Sequence, residues 1–273
     1  MGKFEGILIC TDLDGTLLRN DKSISRENFE AIEYFKREGG YFTFVTGRMP
    51  CTSRDLYDAI KPNAPIGCIN GGGIYDFARG EYLWSQTLPR DVIELVESVI
   101  DEVPEAGVQM NTLDTIYFCR ENSAMARFRR LTGMPNTVAD HKTLDEPVAK
   151  VVFGDENEEN IRRVAKTLRN HPRTSEFDYI RSERTLYEIL PKGSSKGNLI
   201  PRLADILGID MSRTVAVGDY NNDVSMIRAA GVGIAVANAT DEAKAAADHI
   251  TVSNEESAIA RIISEIESGK FNL

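Results

Sequence analysis

Cysteine is sparse, and Cys10, Cys51, Cys68 and Cys119 stand far apart with no CxxC pair among them. That spacing excludes a thiolate metal cage and a disulfide framework, and it reads as a set of reduced thiols in a cytosolic protein. Histidine is scarcer still. His141, His171 and His249 show no metal-ligand spacing, which leaves them as surface or structural residues and makes zinc an unexpected cofactor. No apolar stretch approaches the length of a bilayer span, and no apolar core follows a basic start at the N-terminus, so neither a membrane anchor nor a secretory signal is expected. Gly2 follows Met1, but Gly6 stands where a myristoylation signal needs Ser or Thr. Positive charge is in the minority, 32 Lys and Arg against 42 Asp and Glu, and the net charge of −10 argues against nucleic acid and anionic membranes as partners. An anionic substrate must then meet positive charge locally. The expected state is a cytoplasmic monomer or small homo-oligomer.

The 273 residues suffice for one large domain or two modest ones. Both ends of the chain alternate strands with helices. After the apolar run Ile7–Cys10, Ser25 can cap a helix with Phe29, Ile32 and Phe35 on its apolar face, ended by Gly39 and Gly40. Tyr41–Val45 and Ile66–Ile69 read as further strands, and the second is closed by Asn70 and the run Gly71, Gly72, Gly73. The same rhythm returns after Ser194, with strands at Thr214–Val217 and Val232–Val236. This alternation predicts a parallel, Rossmann-like α/β sheet with covered faces. Between Trp84 and Glu188 the texture changes to helix, strand, strand, and that order recurs at the far end of the segment. The expectation is an α/β core domain built from residues 1–83 and 189–273, with an α+β domain inserted at 84–188.

Carboxylates gather where apolar strands stop. Asp12 and Asp14 in DLDGT are two residues apart, so both face one crevice if the chain stays extended through Leu13. Two such anions repel unless a cation or a proton separates them. Val215–Val217 runs into GDYNND in the same way, and a parallel sheet brings Asp219 to the edge that carries Asp12. Hard oxygen ligands of this kind suit Mg²⁺, whereas for Asn222 helix capping competes with a ligand role. Thr46, Gly47 and Arg48 leave the second strand, and Gly71 and Gly72 the third, where hydroxyl and amide donors can meet a phosphate or merely form turns. Lys196 opens a helix, where a cation opposes the helix dipole unless an anion lies beside it.

In this order, DLDGT, TGR, NGG, PKGSSKGN, GDYNND and the downstream AAADHITVSN resemble the haloacid dehalogenase superfamily of phosphohydrolases, and within it the Cof-like group with a large α+β cap. The resemblance implies a Mg²⁺-dependent phosphatase in which Asp12 attacks phosphorus and becomes an aspartyl phosphate. It further implies that Asp14 acts as acid and then base, and that Asp12, the Asp14 carbonyl and Asp219 bind Mg²⁺ with Asn222 and Asp223 holding the site. Thr46 and Lys196 would bind the phosphoryl group, with Leu13, Gly47, Arg48, Gly71, Gly72, Asn198 and Asn222 as further phosphate or substrate contacts. The two aspartates must then differ in protonation, Asp12 ionised and Asp14 carrying a proton. Tyr220 and Asn221 depart from the small or acidic pair frequent in the group, and the cap offers no matching motif. The cap is expected to act as a lid that contacts the rest of the substrate. A small sugar phosphate is the leading substrate class, followed by pyridoxal phosphate or flavin mononucleotide. A phosphomutase or phosphotransferase shares the nucleophile and metal. A phospho-acceptor signalling domain also uses clustered aspartates, Thr and Lys, but needs neither the cap nor an acid two residues after the nucleophile.

Overall fold

A computed structural model describes residues 2–271 and 273. The chain runs β1 (Leu8–Thr11), α1 (Arg26–Arg37), β2 (Tyr41–Phe44), α2 (Pro50–Ile60), β3 (Ile66–Cys68), β4 (Gly73–Asp76), β5 (Glu81–Ser85), α3 (Val92–Glu102), β6 (Gly107–Thr112), β7 (Ile116–Arg120), α4 (Ser123–Thr132), β8 (Val148–Gly154), α5 (Glu158–Asn170), β9 (Phe177–Glu183), β10 (Leu186–Pro191), α6 (Lys196–Leu207), β11 (Thr214–Gly218), α7 (Val224–Ala229), β12 (Val232–Ala235), α8 (Asp241–Ala246), β13 (His249–Ile250) and α9 (Ala258–Glu267). It divides into two compact units. One joins the segment up to Gly47, Arg54–Trp84 and everything from Ser195 onward; the other joins Ser85–Ser194 with the short piece Arg48–Ser53.

The first unit is built on a parallel five-stranded sheet of order β13-β12-β11-β1-β2. Interior β1 is buried along its whole length, which is why its residues form a continuous apolar run rather than an alternating one. Leu8 and Cys10 pack with Ala216, Leu199 and Leu203 in one apolar cluster. Thr11 lies level with Val217 on one side and with Phe44 on the other. The three strands therefore end together at one edge.

Two details differ from the sequence reading. Ser25 does cap α1, its hydroxyl accepting from the Asn28 amide at 3.1 Å, and Gly39 takes a left-handed conformation beyond the helix end. Phe29, however, is 44% exposed, and the inward face is Asn28, Ile32 and Phe35. Spacings of four and three make that stripe continuous, and Asn28 is accepted in it because its Oδ1 accepts the Ala260 amide at 2.9 Å. The third strand also leaves the parallel sheet. β3 pairs antiparallel with β4 in a small sheet completed by β5, and one parallel bridge, Val45 to Gly67, ties it to β2.

The second unit is an antiparallel sheet of order β7-β6-β8-β10-β9. On one face Val108, Met110, Val151, Phe153, Tyr187 and Ile189 pack with Val92, Leu95 and Val99 of α3 and with Ile161, Val164 and Leu168 of α5. Alternation along each strand leaves the second face to the residues between them.

Candidate active site

The first residues beyond β1 and β11 leave the sheet at one edge. The Asp12 amide donates to the Val217 carbonyl at 2.8 Å, so the chain is still in ladder register as the carboxylate appears. Carboxylate oxygens of Asp12, Asp219 and Asp223 all lie within 4.8 Å of one another. Lys196, the first residue of α6, is 1% exposed and its Nζ donates to Asp12 Oδ1 and Asp223 Oδ1, each at 2.6 Å. Ser195 caps the helix by accepting from the Asn198 amide at 3.3 Å, which turns the Lys196 stem toward the acids rather than solvent.

Burial sets the electrostatics. It pushes the Asp12 carboxyl well above its ordinary range; Lys196 opposes this, and Asp223, Asp219 and Asp14 add to it. Burial likewise raises Asp219 to about 7, reinforced by Asp223 and opposed by the Thr16 hydroxyl. Desolvation disfavours the Lys196 ammonium, yet Asp12 and Asp223 outweigh it and hold the lysine more firmly charged than in water. One ammonium does not balance three carboxylates. The donors are hard oxygens, two of the three acids are buried and all are close, which fits a divalent cation of the Mg²⁺ kind and not a soft metal.

The sequence candidates separate into groups. Asp12, Asp219, Asp223 and Lys196 converge. Asp223 is fully buried, and its Oδ2 accepts the amides of Asp219 and Tyr220 at 2.9 and 3.0 Å, so it fixes the loop and the lysine together. Asn222 donates from Nδ2 to Asn70 Oδ1 at 3.1 Å. Asp14 is near enough to act on Asp12 and Asp219 electrostatically, and it pairs with Lys22 at 2.8 Å, at 38% side-chain exposure. Thr46 is buried, its amide donating to Gly67 and its carbonyl accepting from Asn70. Gly47 is required sterically, since a Cβ there falls 2.7 Å from Asn70 Oδ1.

The remaining candidates have surroundings of their own. Leu13 is a core side chain whose carbonyl accepts the amides of Thr16 and Leu18. The Gly72 amide is used on the Ile69 carbonyl at 3.0 Å and closes a turn. Gly71 has φ 105° and passes against the Ser195 backbone, where no side chain fits. Asn198 is exposed. Arg48 groups with the second unit, its guanidinium reaching the Thr52 carbonyl at 3.5 Å.

Residues inside the motifs but outside the candidate set complete the geometry. Gly15 has φ 84°, and a Cβ there lies 2.5 Å from Asp219 Oδ2. The Thr16 hydroxyl donates to Asp219 Oδ1 at 2.8 Å. Asn70 links Thr46, Gly47 and Asn222 from a left-handed conformation of φ 51°. The DG and NG pairs were the signal available in the sequence, since Asp-Gly and Asn-Gly mark tight turns, but turn chemistry does not say which acid the turn will meet.

A family profile for haloacid dehalogenase-like hydrolases matches residues 9–263, spanning both strand-end acid clusters. The chain belongs to this family. Within the haloacid dehalogenase-like hydrolases it is similar to 5-amino-6-(5-phospho-D-ribitylamino)uracil phosphatase YitU of Bacillus subtilis (strain 168), 29% identical over 263 residues that cover 94% of this chain and 96% of that protein. Pyridoxal phosphate phosphatase YbhA of Escherichia coli (strain K12) is 27% identical over 267 residues, covering 94% and 97%. Among solved structures, a haloacid dehalogenase-like hydrolase from Bacteroides thetaiotaomicron superposes with a TM-score of 0.84 at 26% identity, over 95% of this chain and 99% of that one. Membership and these relatives make the chain a phosphatase of the Cof-like group.

Proposed function

We propose that the chain hydrolyses a small phosphorylated metabolite, a sugar or polyol monophosphate first and pyridoxal phosphate or flavin mononucleotide next, through an aspartyl phosphate on Asp12. The observation that carries this is Lys196, buried and bonded at 2.6 Å to both Asp12 and Asp223, beside Asp219. An anionic nucleophile approaches an anionic ester only where fixed positive charge cancels the repulsion, and a lysine enclosed with the nucleophile does so without reorganising. Asp12, Asp219 and Asp223 would hold Mg²⁺ with the Asp14 carbonyl, and Asn222 would support the site through Asn70. Bound there, Mg²⁺ supplies charge neutralisation at the phosphoryl oxygens and favours ionised Asp12.

Asp12 then attacks phosphorus while Asp14, on the part-exposed side of the loop, protonates the leaving oxygen and afterwards takes a proton from water. Thr46 and Lys196 orient the phosphoryl group. The relatives support the substrate class, being named for a phosphoribityl compound and for pyridoxal phosphate. The inserted unit supplies the contacts that tell one leaving group from another, and its segment can therefore carry substrate preference. The test is phosphate release from a panel of phosphorylated metabolites with Mg²⁺, alongside acid-quench trapping of the phosphoenzyme. Asp12→Asn is expected to abolish both signals; near-normal turnover by this variant would remove Asp12 as nucleophile.

A further inference from the structure

Among the described residues, Ile69 and Asn70 are the one pair of consecutive non-glycine residues with left-handed backbone, φ 59° and 51°, and Gly71 follows at 105°. Asparagine tolerates that region, but a β-branched isoleucine is strained there, because its Cβ crowds the following carbonyl. Strain of this kind persists only where the surroundings hold it. The turn touches three loops of the candidate site. The Asn70 amide donates to the Thr46 carbonyl at 3.1 Å. Asn70 Oδ1 accepts from Asn222 Nδ2 at 3.1 Å, and a Cβ on Gly47 would fall 2.7 Å from the same oxygen. Gly71 lies against Ser195, the residue before Lys196, so closely that a Cβ would come within 2.3 Å of the Ser195 carbonyl. Ile69 and Asn70 are fully buried, and Thr46 and Asn222 nearly so, which closes these contacts to bulk water.

We propose that Asn70 is a positioning residue for phosphoryl transfer, its side-chain amide fixing the Asn222 loop against the Thr46–Gly47 loop. The inference rests on the phosphatase reading above. Thr46, Lys196 and the acids beside Asn222 must surround one phosphoryl group at a fixed spacing. The ladder of the parallel sheet stops at Phe44 on β2 and at Gly218 on β11, so the loops beyond need ties of their own. The turn after β3 supplies them: its backbone holds Thr46, its amide oxygen holds Asn222, and Gly71 abuts the start of α6. Glycine suits left-handed backbone better than asparagine does, and three glycines stand next in the chain. A glycine at position 70 would keep the backbone bond to Thr46 and lose only the tie to Asn222. That tie is therefore what the asparagine adds to the turn.

The experiment measures kcat and KM of the full-length protein with Mg²⁺ and 4-nitrophenyl phosphate, each variant below its own melting transition. Asn70→Gly suits the left-handed turn and removes the amide alone. Its kcat is expected to fall by roughly tenfold to a hundredfold with KM changed less than about threefold, as small displacements of catalytic groups do. Asn222→Ala breaks the same bond from the other side, so the double variant should be no slower than the slower single one. A role in turn formation alone predicts instead that Asn70→Gly keeps kcat within about twofold of wild type. That result, or losses that multiply in the double variant, would overturn the proposal. Should Asn70→Gly fail to fold, Gly47→Ala decides, because its Cβ displaces the Asn70 amide from the opposite side. Its kcat should fall roughly tenfold or more, and an unchanged kcat would overturn the proposal. A wild type that releases no phosphate from this ester or from the metabolite panel would instead overturn the phosphatase reading beneath it.

Discussion

Gly15 shows how a single missing Cβ shapes the acid cluster. Its φ of 84° and the 2.5 Å distance from a Cβ to Asp219 Oδ2 let the DLDGT loop lie directly against the second acid. Gly15→Ala is expected to cost about 1–2 kcal/mol in backbone strain and to displace Asp219. Mg²⁺ affinity should fall by roughly tenfold or more, as losses next to metal ligands do; calorimetric titration checks it, and unchanged affinity would show that Asp219 is not a ligand. The thiols give a second residue-scale prediction. Cys10 and Cys68 are buried while Cys51 is exposed, and burial raises the Cys10 thiol pKa and pushes Cys119 up to about 11. Cys51, although partial burial raises its thiol too, is expected to react ahead of the other three with an aromatic disulfide reagent in the native state. All four should react in denaturant; fast reaction of Cys10 in the native state would contradict its burial.

At this scale the acids were legible because chemistry demands carboxylates at strand ends, and Asp12, Asp219, Asp223 and Lys196 do converge. Gly15, Thr16 and Asn70 were not, because their roles depend on which loop the fold brings alongside. The turn bonds of the Leu13 carbonyl and the Gly72 amide were hidden for the same reason: which backbone group near a motif is committed depends on the local hydrogen bonds.

Among elements, α1 and α9 meet through polar groups. Asn28 is fully buried and its Oδ1 takes the Ala260 amide at 2.9 Å, while the Ser257 hydroxyl meets that of Ser25 at 2.9 Å. Asn28→Leu removes the acceptor and strands a buried amide, a loss of about 1–3 kcal/mol. A lower melting temperature with unchanged kcat/KM below the transition is expected; an unshifted melting curve would show that the amide is satisfied otherwise. Helical periodicity alone chose Phe29 over Asn28, since it ranks residues by hydrophobicity and cannot see a hydrogen bond to a helix more than two hundred residues away. β4 and β5 escaped notice for a related reason. Ile74 and Leu83 stand in short mixed stretches behind a glycine run, and the small sheet of β3, β4 and β5 gives them their place.

For the molecule as a whole, its acids pull stability in two directions. Glu158, Glu176, Glu256 and Glu267 have pKa values lowered by hydrogen bonds from arginine, serine or lysine partners. Such groups stabilise the fold above their unfolded values, near 4.5, and that contribution is lost as pH falls through the folded ones. Asp219 works oppositely: raised to about 7, it holds a proton that the unfolded chain has released, so its contribution declines as pH rises from about 4 through 7. In the proposed mechanism Mg²⁺ would bind the ionised form and restore this loss, by about 2.7 kcal/mol at a hundredfold excess over Kd. The Mg²⁺-induced rise in melting temperature is thus expected to be larger at pH 8 than at pH 5.5; a larger rise at the lower pH would exclude Asp219 from the metal site. Trp84, the sole tryptophan, lies in the first unit with the Arg202 guanidinium 4.2 Å from its ring centroid, so its fluorescence follows that unit in such a measurement.

The pairing of β1 with β11 also sets a timetable for synthesis. Leu8 lies level with Thr214, yet the ribosome adds about two hundred residues between them, which takes on the order of 10–40 s at common elongation rates. All five strands of the antiparallel sheet fall within Gly107–Pro191 and have emerged by then. For that interval β1 has β2 on one side and nothing on the other. Its apolar edge depends on chaperones or on speed until β11 arrives, and Asp12 meets Asp219 only after that strand has been made.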